Sequence, residues 1–338
     1  MAGKGARLAE QERQGRGGVL ALLEAMRFEH WAKNVFVLAA LAFSRKWAYA
    51  EAWVLAGLMF LAFCLISSSV YIVNDIADRR SDRAHPHKRH RPIASGRLEL
   101  PIALSAAGVL ALLAVILVAQ NILLLRRSEY VPYPHQLPLG GYAPALWLVL
   151  YLGLNLAYSF AFKRVPILDV LMVAVGFVLR AMAGAAAIAV PASPWLVLCT
   201  FTLCLFIALA KRRSELLQLG EQAVVARPAH RFYTPTNLEH MLTVSAALAV
   251  ISYSLYSLDA RTFGAERPAS VHLIWTIPLV VYGMFRYYCL TLTCGTDDAV
   301  RLMLRDRVLW LVGAAWLTLV LAIQAWGAHP QLRGLLLQ

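Results

Sequence analysis

Long apolar blocks set the first constraint on this chain. They fall at approximately 33–44, 52–73, 102–125, 142–160, 167–190, 194–210, 240–258, 271–292 and 308–326. All but the first approach the roughly 20 residues that carry an α-helix across a bilayer. In hydrocarbon every backbone N–H and C=O must be satisfied within the segment, so blocks of this kind form helices. The expected class is an all-α membrane protein with about nine transmembrane helices. The first block is the shortest, starts near charged residues, and is extended by an amphipathic lead-in. Only 15% of the residues are charged and 60% are hydrophobic, whereas soluble domains are about a quarter charged. A large aqueous core is thereby excluded.

The first 18 residues are polar, Gly-rich and basic. They lack the early apolar run of a cleavable signal peptide. The expectation is a disordered tail followed by one domain over 19–338. The cysteines, Cys64, Cys199, Cys204, Cys289 and Cys294, lie in or beside apolar blocks. They lack zinc-site spacing and are read as small buried hydrophobes.

The formal net charge is +13. On a soluble chain that would point to nucleic acid; on this one the positive-inside rule and anionic ligands account for it, and no nucleic acid is expected. With the N-terminus inside, the inner segments hold 23 Lys and Arg residues and the outer segments 7. The expected orientation is therefore N-terminus cytoplasmic and C-terminus outside, with function on the cytoplasmic face.

The second block runs into Asn74-Asp75-Ile76-Ala77-Asp78-Arg79-Arg80-Ser81-Asp82. On a continuing helix Asp75, Asp78 and Asp82 lie along one face. Like charges so placed repel, and a bound divalent cation removes the conflict. Magnesium suits such hard oxygen ligands, with Asn74 as a further one. The plain alternative is a solvated loop paired with Arg79, Arg80 and Arg83. Next comes His85-Pro86-His87-Lys88-Arg89-His90-Arg91-Pro92-Ile93-Ala94-Ser95-Gly96. Carboxylates followed by dense cations fit a metal-bridged polyphosphate. Pro86 and Pro92 break any helix here, so a shaped loop is expected. The histidines read poorly as transition-metal ligands beside hard oxygens.

Further candidates flank other blocks. Arg27, Trp31, Lys33 and Asn34 lead into the first, Tyr158 and Lys163 close the fourth, and Asp169 opens the fifth. Lys211-Arg212-Arg213-Ser214-Glu215 closes the sixth. Arg180 lies inside the fifth and Arg286 inside the eighth. A mid-membrane arginine costs about 2.5–3.5 kcal/mol on insertion scales and must face a partner or a polar cavity.

Taken together, these residues resemble the UbiA superfamily of intramembrane prenyltransferases. The likeness is carried by the Asn74–Asp82 motif, by Tyr158 and Lys163, and by the polar motif at Lys211, and runs from about Arg27 to Arg307. It implies a UbiA-like bundle with its active site at the cytoplasmic face. Most members of the superfamily join a prenyl diphosphate to an aromatic acceptor through two Asp-rich motifs. Here the second motif has one acid and three cations, which favours a ligand richer in phosphate. The pattern is similar to that of decaprenyl-phosphate phosphoribosyltransferases, on NDIADRRSDRAHPHKRHRPIASG, on FVLRAMAGA around Arg180 and on ALAKRRSEL around Lys211. That branch implies two substrates, phosphoribosyl pyrophosphate and a polyprenyl (decaprenyl-type) phosphate lying in the bilayer, with magnesium as cofactor. It also implies a bacterial inner membrane and a product that feeds arabinose donors for cell-envelope polysaccharide.

On this reading Asn74, Asp75, Asp78 and Asp82 hold magnesium, and the three aspartates are catalytic. Arg27, Lys33, Lys88, Arg89, Arg91, Tyr158, Lys163, Arg180, Lys211 and Arg212 bind substrate phosphates. Asn34, Asp169 and Glu215 orient them. An aromatic prenyltransferase of the same fold and an anion transporter stay open as rivals; the first wants a second acidic cluster, the second broken helices at mid-membrane. A homo-oligomer is compatible with the pattern, which does not fix a number of copies.

Overall fold

The computed structural model describes residues 18–44, 46–84, 88–128, 137–219, 231–258, 273–293, 302 and 305–326. Among them every regular element is helical. Eight helices are long and apolar enough to cross a membrane. They are α1 (Ala50–Ala77), α2 (Leu100–Arg127), α3 (Ala143–Phe160), α4 (Leu168–Ala187), α5 (Pro194–Leu219), α6 (Pro235–Leu258), α7 (Ile277–Thr293) and α8 (Arg307–Trp326). The expected tail up to residue 17, together with His85, Pro86, His87 and Cys294, lies outside the described residues.

The first expected span is built differently from the rest. Residues 18–26 are helical, a 3-10 helix follows over Phe28–Leu38, and a short α-helix over Ala39–Phe43 completes the segment. The 3-10 run is long for its type, since its hydrogen bonds are poorer than those of an α-helix. Side-chain anchors hold it against α1. Asn34, fully buried, donates to Ser67 Oγ at 3.3 Å, and the Trp31 indole N–H donates to Ser68 Oγ at 3.0 Å. Gly184 of α4 lets the chain approach closely: a Cβ there would sit 1.8 Å from the Val37 carbonyl oxygen.

The described residues fall into two compact units. One lies within Met1–Ala39, Tyr49–Ser159 and Ala183–Ala189, the other within Ala40–Ala48, Phe160–Met182 and Val190–Gln338. In the first, α1 and α2 pack along a stripe of α2 formed by Ala103, Ala107, Leu110, Ala114, Val118 and Ile122. That spacing is the helical period, and its small residues allow close approach where lipid supplies no hydrophobic drive. Polar glue reinforces it. Ser69 Oγ donates to Ala107 O at 2.8 Å, and buried Asn121 donates to Leu55 O at 2.8 Å. In the second unit α5 packs on α6, and Phe206, Leu209, Leu238, Leu242 and Tyr287 form the core.

Candidate active site

The acidic motif starts inside a membrane-length helix and finishes beyond it. α1 ends at Ala77, and Asp78 caps it with φ −87° and ψ 2°. A short helix, Arg79–Ala84, follows. The three aspartates therefore do not share one continuous helix face, as the spacing predicted. A break at Asp78 avoids stacking three like charges along a single helix.

Asp75 and Asp82 are both buried, and they converge. Arg91 Nη1 donates to Asp75 Oδ1 at 3.1 Å and to Asp82 Oδ2 at 2.7 Å. From another direction Arg27 Nη2 donates to Asp75 Oδ1 at 2.7 Å and Oδ2 at 3.0 Å. A carboxylate in the last turn of a helix sits at the negative end of the helix dipole. Two guanidiniums offset that, and removing one partner of such a buried pair costs about 3–5 kcal/mol.

Each arginine is delivered by a fixed turn. Arg27 joins residues 18–26 to the 3-10 helix in a left-handed conformation, φ 53° and ψ 58°. Non-Gly residues rarely adopt it. Here Ser68 Oγ secures the turn by donating to Met26 O at 2.9 Å, and the Arg27 guanidinium lies 5.1 Å from the centre of the Tyr71 ring. Arg91 is the N-cap of a one-turn helix, Pro92–Ser95. Pro92 thus starts a helical turn, where its missing N–H costs nothing. Gly96 ends the turn at φ 85°, a conformation natural to glycine. Ile93 and Leu98 are buried beneath it. Arg83 Nε donates to Ala94 O at 2.9 Å, and Arg97 forks Glu24 at 2.8 and 3.0 Å. Lys88 and Arg89 lie in the preceding 3-10 turn, Lys88–His90.

The second unit has its own polar cluster. Asp169, fully buried in the first turn of α4, accepts from Arg212 Nε at 2.6 Å and from the Tyr233 hydroxyl at 2.7 Å. A carboxylate at a helix N-terminus has the dipole in its favour. Arg212 Nη1 also donates to Glu215 at 2.7 Å, and Arg213 donates to Glu239 at 2.6 and 3.1 Å. The Tyr233 oxygen accepts the Ile167 N–H at 2.7 Å. Burial, then the bond to Asp169, holds the Tyr233 phenol above its usual range.

Asp169 and Glu215 both accept hydrogen bonds from Arg212. Arg212 is buried between carboxylates, and Arg213 bonds to Glu239 and to the Thr291 carbonyl. Tyr233 and Glu239 carried no sequence signal: both lie well away along the chain from the groups they bind. Arg180 is buried and donates to Gly176 O, one turn back on its own helix, at 3.0 Å, with its guanidinium 4.8 Å from the Phe177 ring centre. Arg286 forks Asp306 at 2.8 and 2.9 Å. Tyr158 lies in the last turn of α3, Lys163 in the 3-10 turn Phe162–Arg164 and Lys211 in α5. Lys33 and Asn34 belong to the 3-10 helix Phe28–Leu38.

Residues 34–332 match the UbiA prenyltransferase family. The chain belongs to this family. Among its UbiA relatives, a decaprenyl-phosphate phosphoribosyltransferase from Mycolicibacterium smegmatis is 32% identical over 314 residues, covering 88% of this chain and 91% of that protein. One of the same name from Corynebacterium glutamicum is 32% identical over 297 residues, covering 87% and 84%. The fold is shared with a UbiA homolog from Archaeoglobus fulgidus solved bound to GPP and Mg2+. Its TM-score is 0.63 at 18% identity, over 90% of this chain and 99% of that one. The cluster of this UbiA member fits magnesium by its donor chemistry. Among the described residues no group of three or more metal-ligating side chains is assembled. Magnesium, however, takes one or two carboxylates and completes its shell with phosphate and water. Asp75 and Asp82, both within reach of a single nitrogen, are such a pair.

Proposed function

We propose that this chain transfers 5-phosphoribose from phosphoribosyl pyrophosphate to a polyprenyl phosphate in the bilayer, releasing pyrophosphate. What carries the reading is similarity along nearly the whole chain to relatives named for a decaprenyl phosphate and a phosphoribosyl group. The site chemistry supports it. Asp75 and Asp82 stand among Arg27, Arg91 and the Lys88–His90 turn, a setting for a polyanion carried with a divalent cation.

In the reaction an oxygen of the lipid phosphate bonds to the anomeric carbon as the bond from that carbon to pyrophosphate breaks. The electron pair leaves with pyrophosphate, and the configuration inverts. The attacking phosphate is already anionic, so no strong general base is needed. Asp75 and Asp82, with Asn74 and Asp78, would hold a magnesium ion, which when bound would supply Lewis-acid stabilisation of the leaving group. Lys88, Arg89 and Arg91 grip donor phosphates by charge-assisted hydrogen bonds. Lys33, Tyr158, Lys163, Arg180 and Lys211 bind further phosphate oxygens. Arg27 and Arg212, each already paired with a carboxylate, are further phosphate-binding residues, and Asn34, Asp169 and Glu215 orient the side chains around them. We place the reaction at the cytoplasmic face of a bacterial inner membrane, N-terminus inside and C-terminus outside, feeding arabinose donors for the cell envelope.

The test is a transfer assay with purified protein in detergent. Labelled phosphoribosyl pyrophosphate and a polyprenyl phosphate should yield label in the lipid phase, lost on adding EDTA. Prenylated 4-hydroxybenzoate from a prenyl diphosphate, without phosphoribosyl transfer, would overturn the reading.

A further inference from the structure

The acidic pair already has a bridging cation, and it belongs to the protein. Arg91 Nη1 contacts Asp75 Oδ1 and Asp82 Oδ2 together, as a shared metal ion would. Arg27 holds both oxygens of Asp75. Two carboxylates and two guanidiniums make the cluster neutral. A bare dication entering there competes with Arg91 for the same oxygens and leaves a cationic excess in a buried site. An arriving pyrophosphate changes the balance, because Arg91 then has another anion to bind.

We infer that Arg91 is a built-in counter-cation that makes metal binding conditional on the phosphate ligand, exchanging the aspartates for pyrophosphate when both arrive. This rests on reading Asp75 and Asp82 as the metal ligands. Arg91 is mounted for such an exchange. Its backbone is fixed at the head of Pro92–Ser95 over buried Ile93, while its side chain is 29% exposed. Arg27 is mounted to stay, with its turn fastened to Ser68 and its guanidinium near Tyr71. Coupling of this kind is reciprocal: pyrophosphate raises metal affinity by the factor by which metal raises pyrophosphate affinity.

Equilibrium dialysis of Mn2+ against the purified full chain tests this, with thermal unfolding in EDTA and in Mn2+ as a second readout. Wild type should retain Mn2+ weakly alone and more tightly with pyrophosphate. Arg91→Gln should bind Mn2+ alone more tightly than wild type by on the order of tenfold. It should also be less stable in EDTA and regain stability with Mn2+. Arg91→Lys, which keeps a cation in place, should resemble wild type. Equal Mn2+ affinity in wild type and Arg91→Gln, with no effect of pyrophosphate, would overturn the inference and leave the metal site standing. No Mn2+ retained by any of these proteins, with or without pyrophosphate, would overturn the metal site as well.

Discussion

Replacing Gly184 with Ala should destabilise the first unit and disturb its acidic cluster together. The added Cβ would lie 1.8 Å from the Val37 carbonyl oxygen and 2.7 Å from its carbon, where ordinary contact begins at 3.4 Å. Both colliding groups are backbone, so no side-chain rotation relieves the overlap. The 3-10 helix must retreat by about 1.6 Å, an overpacking that costs up to about 3 kcal/mol. Helix propensity returns up to about 1 kcal/mol. The net loss is about 2 kcal/mol. Val37 shares its 3-10 helix with the Arg27 N-cap, so the shift also loosens the 2.7 Å bond from Arg27 to Asp75. Gly108→Ala on α2 is the control, since no atom lies within 4 Å of its added Cβ. Thermal unfolding of both variants in one detergent, with phosphoribosyl transfer measured beside it, gives the comparison. Gly184→Ala as stable as Gly108→Ala would refute the close approach of Val37.

Other expectations follow from the ion pairs. Asp169→Ala strips a buried partner from Arg212 and an acceptor from Tyr233; a loss of about 3 kcal/mol is expected, because Glu215 still pairs with the guanidinium. Denaturant titration measures it, and a loss under about 1 kcal/mol would mean that Glu215 alone suffices. Asp306 is held below its ordinary value of 3.8, chiefly by the Arg286 bond and then by the Leu309 N–H. A carboxyl with a depressed folded pKa contributes stability above its unfolded value and loses it as the pH falls through the folded one. The melting-temperature gap between wild type and Asp306→Asn should therefore be full near neutrality and shrink below pH 3.8. A gap independent of pH would assign the effect to packing.

Apolar length and motif order already determine that this chain enters a membrane as helices, and that an acidic motif follows the apolar block 52–73. Lipid leaves a long uncharged segment no other way to satisfy its backbone, so composition alone is decisive there. The same local logic reads Pro86 and Pro92 as the breaks of a shaped loop, though Pro92 in fact opens a helical turn. It does not reach the partners of the charged groups. Arg27 meets Asp75 across 48 positions, Arg212 meets Asp169 across 43, and Tyr233 meets Asp169 across 64. Ion pairs depend on which helix ends the packing brings together, and hydrophobic periodicity carries no record of that. Tertiary structure also decided that the chain breaks at Asp78, that Phe28–Leu38 takes the tighter 3-10 form, and that Arg212 of the basic run lies between two carboxylates. The 3-10 form accompanies a close backbone approach at Gly184, and Arg212 is buried on Asp169, 43 positions away; neither is written in neighbouring residues.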